Sequence, residues 1–182
     1  MENPGWDDIL DKGEEILWQG RPDTGMHFRP RDIPIMIFGL IFAGFALFWM
    51  IGVAQVGGAF WAFGLLHFSL GMGLLLSPLL WGPFRRARTW YTLTNRRAFI
   101  ATDLPLLGKK LKSYPITDDT ILEFTAGDLS SLHFSKELRR GDKGRTYLVP
   151  VGFEYIRDGN RVYRMMRDIQ EQDRLRNEAG HA

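Results

Sequence analysis

Two clusters of basic side chains carry the most specific chemistry in this 182-residue chain. They are Lys109, Lys110 and Lys112 at the start of a strand-like run, and Arg139, Arg140, Lys143 and Arg145 around a glycine-bearing turn. Grouped ammonium and guanidinium groups bind phosphate, and strand alternation puts Lys110 and Lys112 on one face and Leu111 on the other. Either cluster could contact anionic phospholipid headgroups or a protein partner; the simpler reading is a solvated loop that keeps the domain soluble. Asp118, Asp119 and Glu123 form a tight acidic group that could serve as acid and base, but beside Thr117 and Thr120 they read better as turn formers. His27, His67, His133 and His181 lack metal-ligand spacing. No phosphate-binding loop, dinucleotide glycine pattern, zinc HExxH or serine GxSxG elbow occurs. The chain has no cysteine, which excludes disulfides, thiolate metal sites and thiol nucleophiles. The sequence therefore nominates no catalytic residue, no metal ligand and no cofactor.

The elements that must position the clusters begin with an uncharged run. Residues 33–84 contain no Lys, Arg, Asp or Glu, in a chain that is 24% charged. A bilayer core about 30 Å thick needs roughly 20 apolar residues per helix, so the run predicts a two-span hairpin. The spans fall at residues 34–54 and 59–81, around a turn at Gln55, Val56, Gly57 and Gly58. Arg29 and Arg31 before the run and Arg85, Arg86 and Arg88 after it predict that both flanks, and both termini, are cytoplasmic. Residues 1–32 are polar and acidic, unlike a signal peptide. Small residues four apart, Gly39 and Ala43, Gly58 and Ala62, and Gly73 and Ser77, predict close helix packing within the hairpin, with a dimer face as the alternative. His67 is the one ionisable group at that depth; with no charged residue to complete a relay, it reads as structural.

Charge divides unevenly around the hairpin. Residues 1–32 hold four basic and eight acidic side chains, and residues 85–182 hold 19 basic and 13 acidic. A basic domain beside an anionic leaflet gains about 1 kcal/mol per Lys or Arg that reaches the surface. Nucleic acid is not predicted as a partner, because no recognition motif is present and the aromatic residues fall in strand patterns. Strands at 88–94 and 97–102 read as a hairpin around Asn95 and Arg96, with Asn95 suited to the turn and Arg97 to pairing with a carboxylate. Further short strands are predicted at 110–114, 120–124, 131–134, 146–149 and 153–156. A helix follows over 159–177, capped by Asp158, with Val162, Met166 and Ile169 on its apolar stripe. A strand at 14–19 has no local partner and is predicted to join the later sheet, which makes the hairpin an insertion within one β domain.

Four stretches together, GEEILWQGRPD at 13–23, YTLTNRRAFI at 91–100, SYPI at 113–116 and FEYIRDGNRVYRMMRDI at 153–169, resemble the bacterial membrane-anchored pleckstrin-homology-like proteins. The resemblance implies a membrane α-helical hairpin plus an all-β or α+β pleckstrin-homology-like barrel of about seven strands with a C-terminal capping helix. The cytoplasmic segment 1–32 would lend its strand to the barrel formed by residues 85–182, at the bacterial inner membrane. That family has no established common reaction. With so little catalytic chemistry in the sequence, the function expected is non-enzymatic: a cytoplasmic domain presented to a protein partner or to an anionic lipid surface, as a scaffold or adaptor. The alternative is a small membrane-bound enzyme, or an enzyme accessory subunit, acting on a substrate at the lipid interface. A transporter or channel would lack polar residues along its pathway.

Overall fold

The computed structural model describes residues 5–6, 8–27, 30–105, 107–141 and 144–180; Arg29 and Lys143 lie outside them, as does the side chain of Arg31. The chain forms two compact units, Thr24–Arg85 and, discontinuously, Met1–Asp23 with Arg86–Ala182.

The helical unit is built from α1 (Ile33–Ala54) and α2 (Phe63–Ala87), with a short 3-10 turn at Phe60–Ala62 between them. Both helices are long and apolar enough to cross a membrane. The connection turns on Gly57 and Gly58, whose φ angles of 86° and 82° lie where a side chain would be strained. The helices approach through Gly39, Ala43 and Gly71. A Cβ on Gly39 would sit 2.5 Å from the Leu75 amide nitrogen, and one on Gly71 would sit 2.6 Å from that of Ala43. Gly39 and Ala43 are thus the predicted pair that packs the hairpin. Gly73 faces open space, and Gly58 belongs to the turn rather than to a helix. The outward surface is apolar, with Ile41, Phe45, Phe48 and Leu66 exposed. The second helix starts four residues later than 59 and continues past the uncharged run to include Arg85 and Arg86.

The β unit contains two antiparallel sheets. The first has the order β1 (Ile16–Gly20), β2 (Thr89–Thr94), β3 (Arg97–Leu104), β4 (Gly108–Pro115); the second has β5 (Glu123–Thr125), β6 (Ser130–Arg140), β7 (Thr146–Ile156). A C-terminal helix, α3 (Gly159–Gly180), follows. The early strand pairs with β2 in the register Trp18↔Leu93 and Gly20↔Tyr91, so the helical hairpin is an insertion between two hydrogen-bonded neighbours. The core lies between the sheets and α3, with Trp18, Tyr91, Leu93, Leu132, Phe134, Phe153, Val162, Met166 and Ile169 buried in one cluster. Phe153 is at its centre, its ring 4.7 Å from Tyr91, 5.1 Å from Phe134 and 5.4 Å from Trp18.

The expected barrel does not close. After β4 the chain leaves the ladder at Ile116, whose amide bonds the Arg96 carbonyl, and makes a turn closed by the Thr117 amide on the Thr120 hydroxyl before β5 begins. The strand expected over 120–124 is therefore the shorter β5. The two last predicted strands are one, β7, because its Pro150 lies on a sheet edge where no N–H is required. Asp158 does cap α3, but with its carbonyl, which accepts the Arg161 and Val162 amides; its carboxylate accepts the Trp18 indole N–H.

The chain leaves the β unit at Asp23 and returns at Arg86, and these ends are tied together. Arg86 Nε donates to the Asp23 carbonyl at 2.9 Å, and the Asp23 amide donates to the Tyr155 carbonyl at 2.8 Å. The Arg86 guanidinium also lies 5.0 Å from the centre of the Tyr155 ring. Tyr155 adopts φ 56°, a left-handed conformation unusual for a bulky residue, at a bulge in the β6–β7 ladder.

Candidate functional site

The two basic clusters come from different sheets and meet at one carboxylate. Lys112 on β4 donates to both oxygens of Glu137 on β6, at 2.6 and 2.7 Å, and the Tyr114 hydroxyl donates to the same group. Arg139 Nη2 lies 3.7 Å from Glu137 Oε2. The hydrogen bond from Lys112, then that from Tyr114, holds the Glu137 carboxyl below its ordinary range, and burial together with that carboxylate raises the Tyr114 phenol. Glu137 thus joins the β4 edge to the β6–β7 hairpin and uses Lys112 as a structural cation.

Lys109, Lys110, Arg140 and Arg145 are exposed and have no carboxylate partner among the described residues. They stand beside apolar side chains that the core does not take up. Leu138 and Leu148 are cross-strand neighbours on the projecting hairpin, 71% and 62% exposed, and Tyr147 opposite Arg139 is 53% exposed. In the β3–β4 connection Leu107 is 59% exposed, directly ahead of Lys109 and Lys110. Cations close in sequence to exposed leucines and a tyrosine are the side-chain types that suit a phase boundary, where anionic groups meet hydrocarbon.

The remaining predicted positions fall elsewhere. Arg86 is buried in the β unit, 7% exposed, in the tie to Asp23 and Tyr155. Arg88 is half-buried and its carbonyl accepts the Asp103 amide at 3.0 Å, while Arg85 is exposed at the end of α2. Asp119 closes locally on Asp118, and Glu123 pairs with Lys136 at 2.9 Å, so the acidic group is divided between a turn and a strand pair. His67 contacts the Phe63 carbonyl one turn earlier at 3.3 Å and packs against Phe63 and Phe42.

The sequence reveals only half of a second charged centre. Arg97 does pair with a carboxylate, and it is Glu14, whose side chain is fully buried. Glu14 accepts from Arg97 Nε at 3.1 Å and from Arg97 Nη2, from the Thr94 hydroxyl at 2.6 Å and from the Asp11 amide at 2.9 Å. Burial alone would raise the Glu14 carboxyl; the Arg97 and Thr94 hydrogen bonds, the Asp11 amide and the Arg97 charge outweigh it and lower the value to about 2. Asn95 adds a staple, with its amide nitrogen on the Gly13 carbonyl at 3.1 Å and its amide oxygen accepting from the Glu15 amide at 3.2 Å. The stretches GEE at 13–15 and TNRR at 94–97 are therefore one contact. This centre is saturated by its own partners and binds the N-terminal segment to the β2–β3 hairpin.

Comparison with protein-family models, with curated proteins and with solved structures finds no match to this chain.

Proposed function

We propose that this chain is a membrane-anchored, pleckstrin-homology-like binding module with no reaction of its own. In this reading α1 and α2 span the bacterial inner membrane with both termini cytoplasmic, and the β unit serves as a scaffold at the leaflet surface. The exposed apolar surface of both helices supports the anchor, since water-soluble helices bury such side chains. The observation that carries the binding role is that exposed Lys109 and Lys110 follow exposed Leu107, and exposed Arg140 and Arg145 flank exposed Leu138, Tyr147 and Leu148, on two strand connections whose sheets are joined by Lys112 and Glu137. Anionic phospholipid headgroups would take the cations while the leucines enter the interface. An acidic protein partner would use the same cations without needing the leucines.

The test uses the full chain in nanodiscs of phosphatidylcholine alone or mixed with phosphatidylglycerol, read by amide hydrogen exchange. Anionic discs should slow exchange at residues 107–112 and 136–148, and the variant K109E/K110E/R140E should abolish that difference. Equal exchange in both disc types would reject the lipid-binding role.

A further inference from the structure

A separate groove lies over β1, β2 and β3 of the four-stranded sheet. It has a volume of about 420 Å³, within the range of small-molecule sites, and is lined by Trp6, Trp90, Phe99, Gln19, Thr92 and Arg21. Its walls are aromatic. Trp6 meets Phe99 edge to face at 5.3 Å, and the Arg21 guanidinium lies 4.5 Å from the centre of the Trp90 ring. Arg21 is exposed, has no carboxylate partner among the described residues, and has its face held on the indole. Thr92 is buried and its hydroxyl oxygen accepts from Gln19 Nε2 at 3.4 Å, which leaves the hydroxyl proton for a ligand.

The wall provided by Trp6 is held in place. Its carbonyl accepts the amides of Ile9 and Leu10, and Arg97 then fixes that turn through Asp11 at 3.2 Å and through Glu14. The groove sits at the end of the sheet where the chain leaves and re-enters the β unit: Arg21 is two residues before Asp23, and Trp90 four after Arg86.

We infer that this groove binds a phosphate-bearing amphiphile, with the phosphate on Arg21 and Thr92 and the first part of an alkyl chain between Trp6, Trp90 and Phe99. A planar guanidinium is matched to phosphate, and the aromatic walls give an alkyl chain a dry surface. A cavity of this volume takes a small molecule rather than a folded partner. The lipid-like class of ligand rests on the membrane-anchored reading above, because an anchored domain meets lipid-derived amphiphiles throughout its working life. The site itself does not depend on the basic clusters.

The experiment titrates the full chain in dodecyl maltoside micelles with decyl phosphate, decanol and inorganic phosphate, following tryptophan fluorescence. Decyl phosphate should give a saturable change; R21A should weaken it roughly tenfold or more, and W6A should reduce its amplitude. K109E/K110E/R140E should leave it unchanged. Equal binding of decanol with no effect of R21A would reduce the groove to an apolar crevice and overturn the inference. Equal binding of inorganic phosphate would make it an anion site only and would overturn the inference as well. A response lost in K109E/K110E/R140E but kept in R21A would move the signal to the basic clusters, overturning this inference while leaving the proposed function standing.

Discussion

A single carboxylate decides whether the N-terminal segment belongs to the β unit. Glu14 is fully buried and tolerable only because Arg97, Thr94 and the Asp11 amide satisfy it together. Its folded value of about 2 lies below the ordinary 4.5, so the stabilisation is complete above pH 4.5 and is lost as the pH falls toward 2. Glu14→Gln keeps the shape and removes the charge, leaving Arg97 without its partner; it should cost about 2–4 kcal/mol at pH 7. Urea unfolding of the full chain in maltoside micelles, followed by tryptophan fluorescence, measures this. The gap between the parent and E14Q should close between pH 4.5 and 2, and a gap that stays constant with pH would assign the loss to packing instead. The sequence shows half of this contact. Arg97 follows a turn signal and asks for a carboxylate, but nothing local distinguishes Glu14 from Glu15 beside it. Pairing across a large insertion is set by strand register, and in that register Glu15 stays exposed while Glu14 turns inward.

At the scale of elements, the hairpin and the strands differ in how openly the sequence states them. The two helices follow from an uncharged run and two glycines, because in hydrocarbon only a helix satisfies its own backbone. Their contact is narrower than the spacing of small residues suggests. Three pairs are available, and only Gly39 with Ala43 meets the facing backbone, at Gly71 and Leu75. Gly39→Val should therefore weaken the hairpin by about 1–3 kcal/mol, while Gly44→Val, which meets nothing within 4 Å, should be neutral. Loss of helical circular dichroism on titrating dodecyl sulfate into maltoside micelles compares the two; equal midpoints would mean that the helices do not pack in this way. In the β unit, Pro150 and Gly152 interrupt the strand pattern and divide β7 in a reading of the sequence alone. Both are accommodated because β7 is an edge strand and Gly152 lies tightly against the Leu132 carbonyl of β6. The same effect hid the candidate site. Lys112 looks like a neighbour of Lys110 in ligand binding, yet the β6 register places Glu137 within reach and converts it to a structural cation. Which cations remain unpaired is a property of the sheet pair and cannot be read from one strand.

For the whole molecule, the consequence of the insertion is that the chain on both sides of residues 24–85 belongs to one compact β unit. Its first strand precedes them, its second follows, and their register from Ile16↔Thr94 to Gly20↔Tyr91 is fixed by contacts within the unit. The exit and return points are already joined, by Arg86 Nε on the Asp23 carbonyl at 2.9 Å and by the stacking of Arg86 on Tyr155. Closing a short loop between points that the fold holds together costs little entropy, and the cost grows only slowly with loop length. Replacing residues 24–85 with a short Gly/Ser loop should thus give a water-soluble domain that keeps the Glu14–Arg97 contact and the β1–β2 pairing. Gel filtration without detergent should show a single compact species, and amide hydrogen exchange should show β1 protected as strongly as β2. Introducing Arg86→Ala into the same variant, which removes the clasp, should lower its thermal midpoint by several degrees, corresponding to about 1 kcal/mol or more for a domain of this size. Aggregation of the looped variant, or rapid exchange confined to β1, would show instead that the helices are needed to hold the first strand in the sheet, and the hairpin would then be part of the fold rather than an anchor set into it.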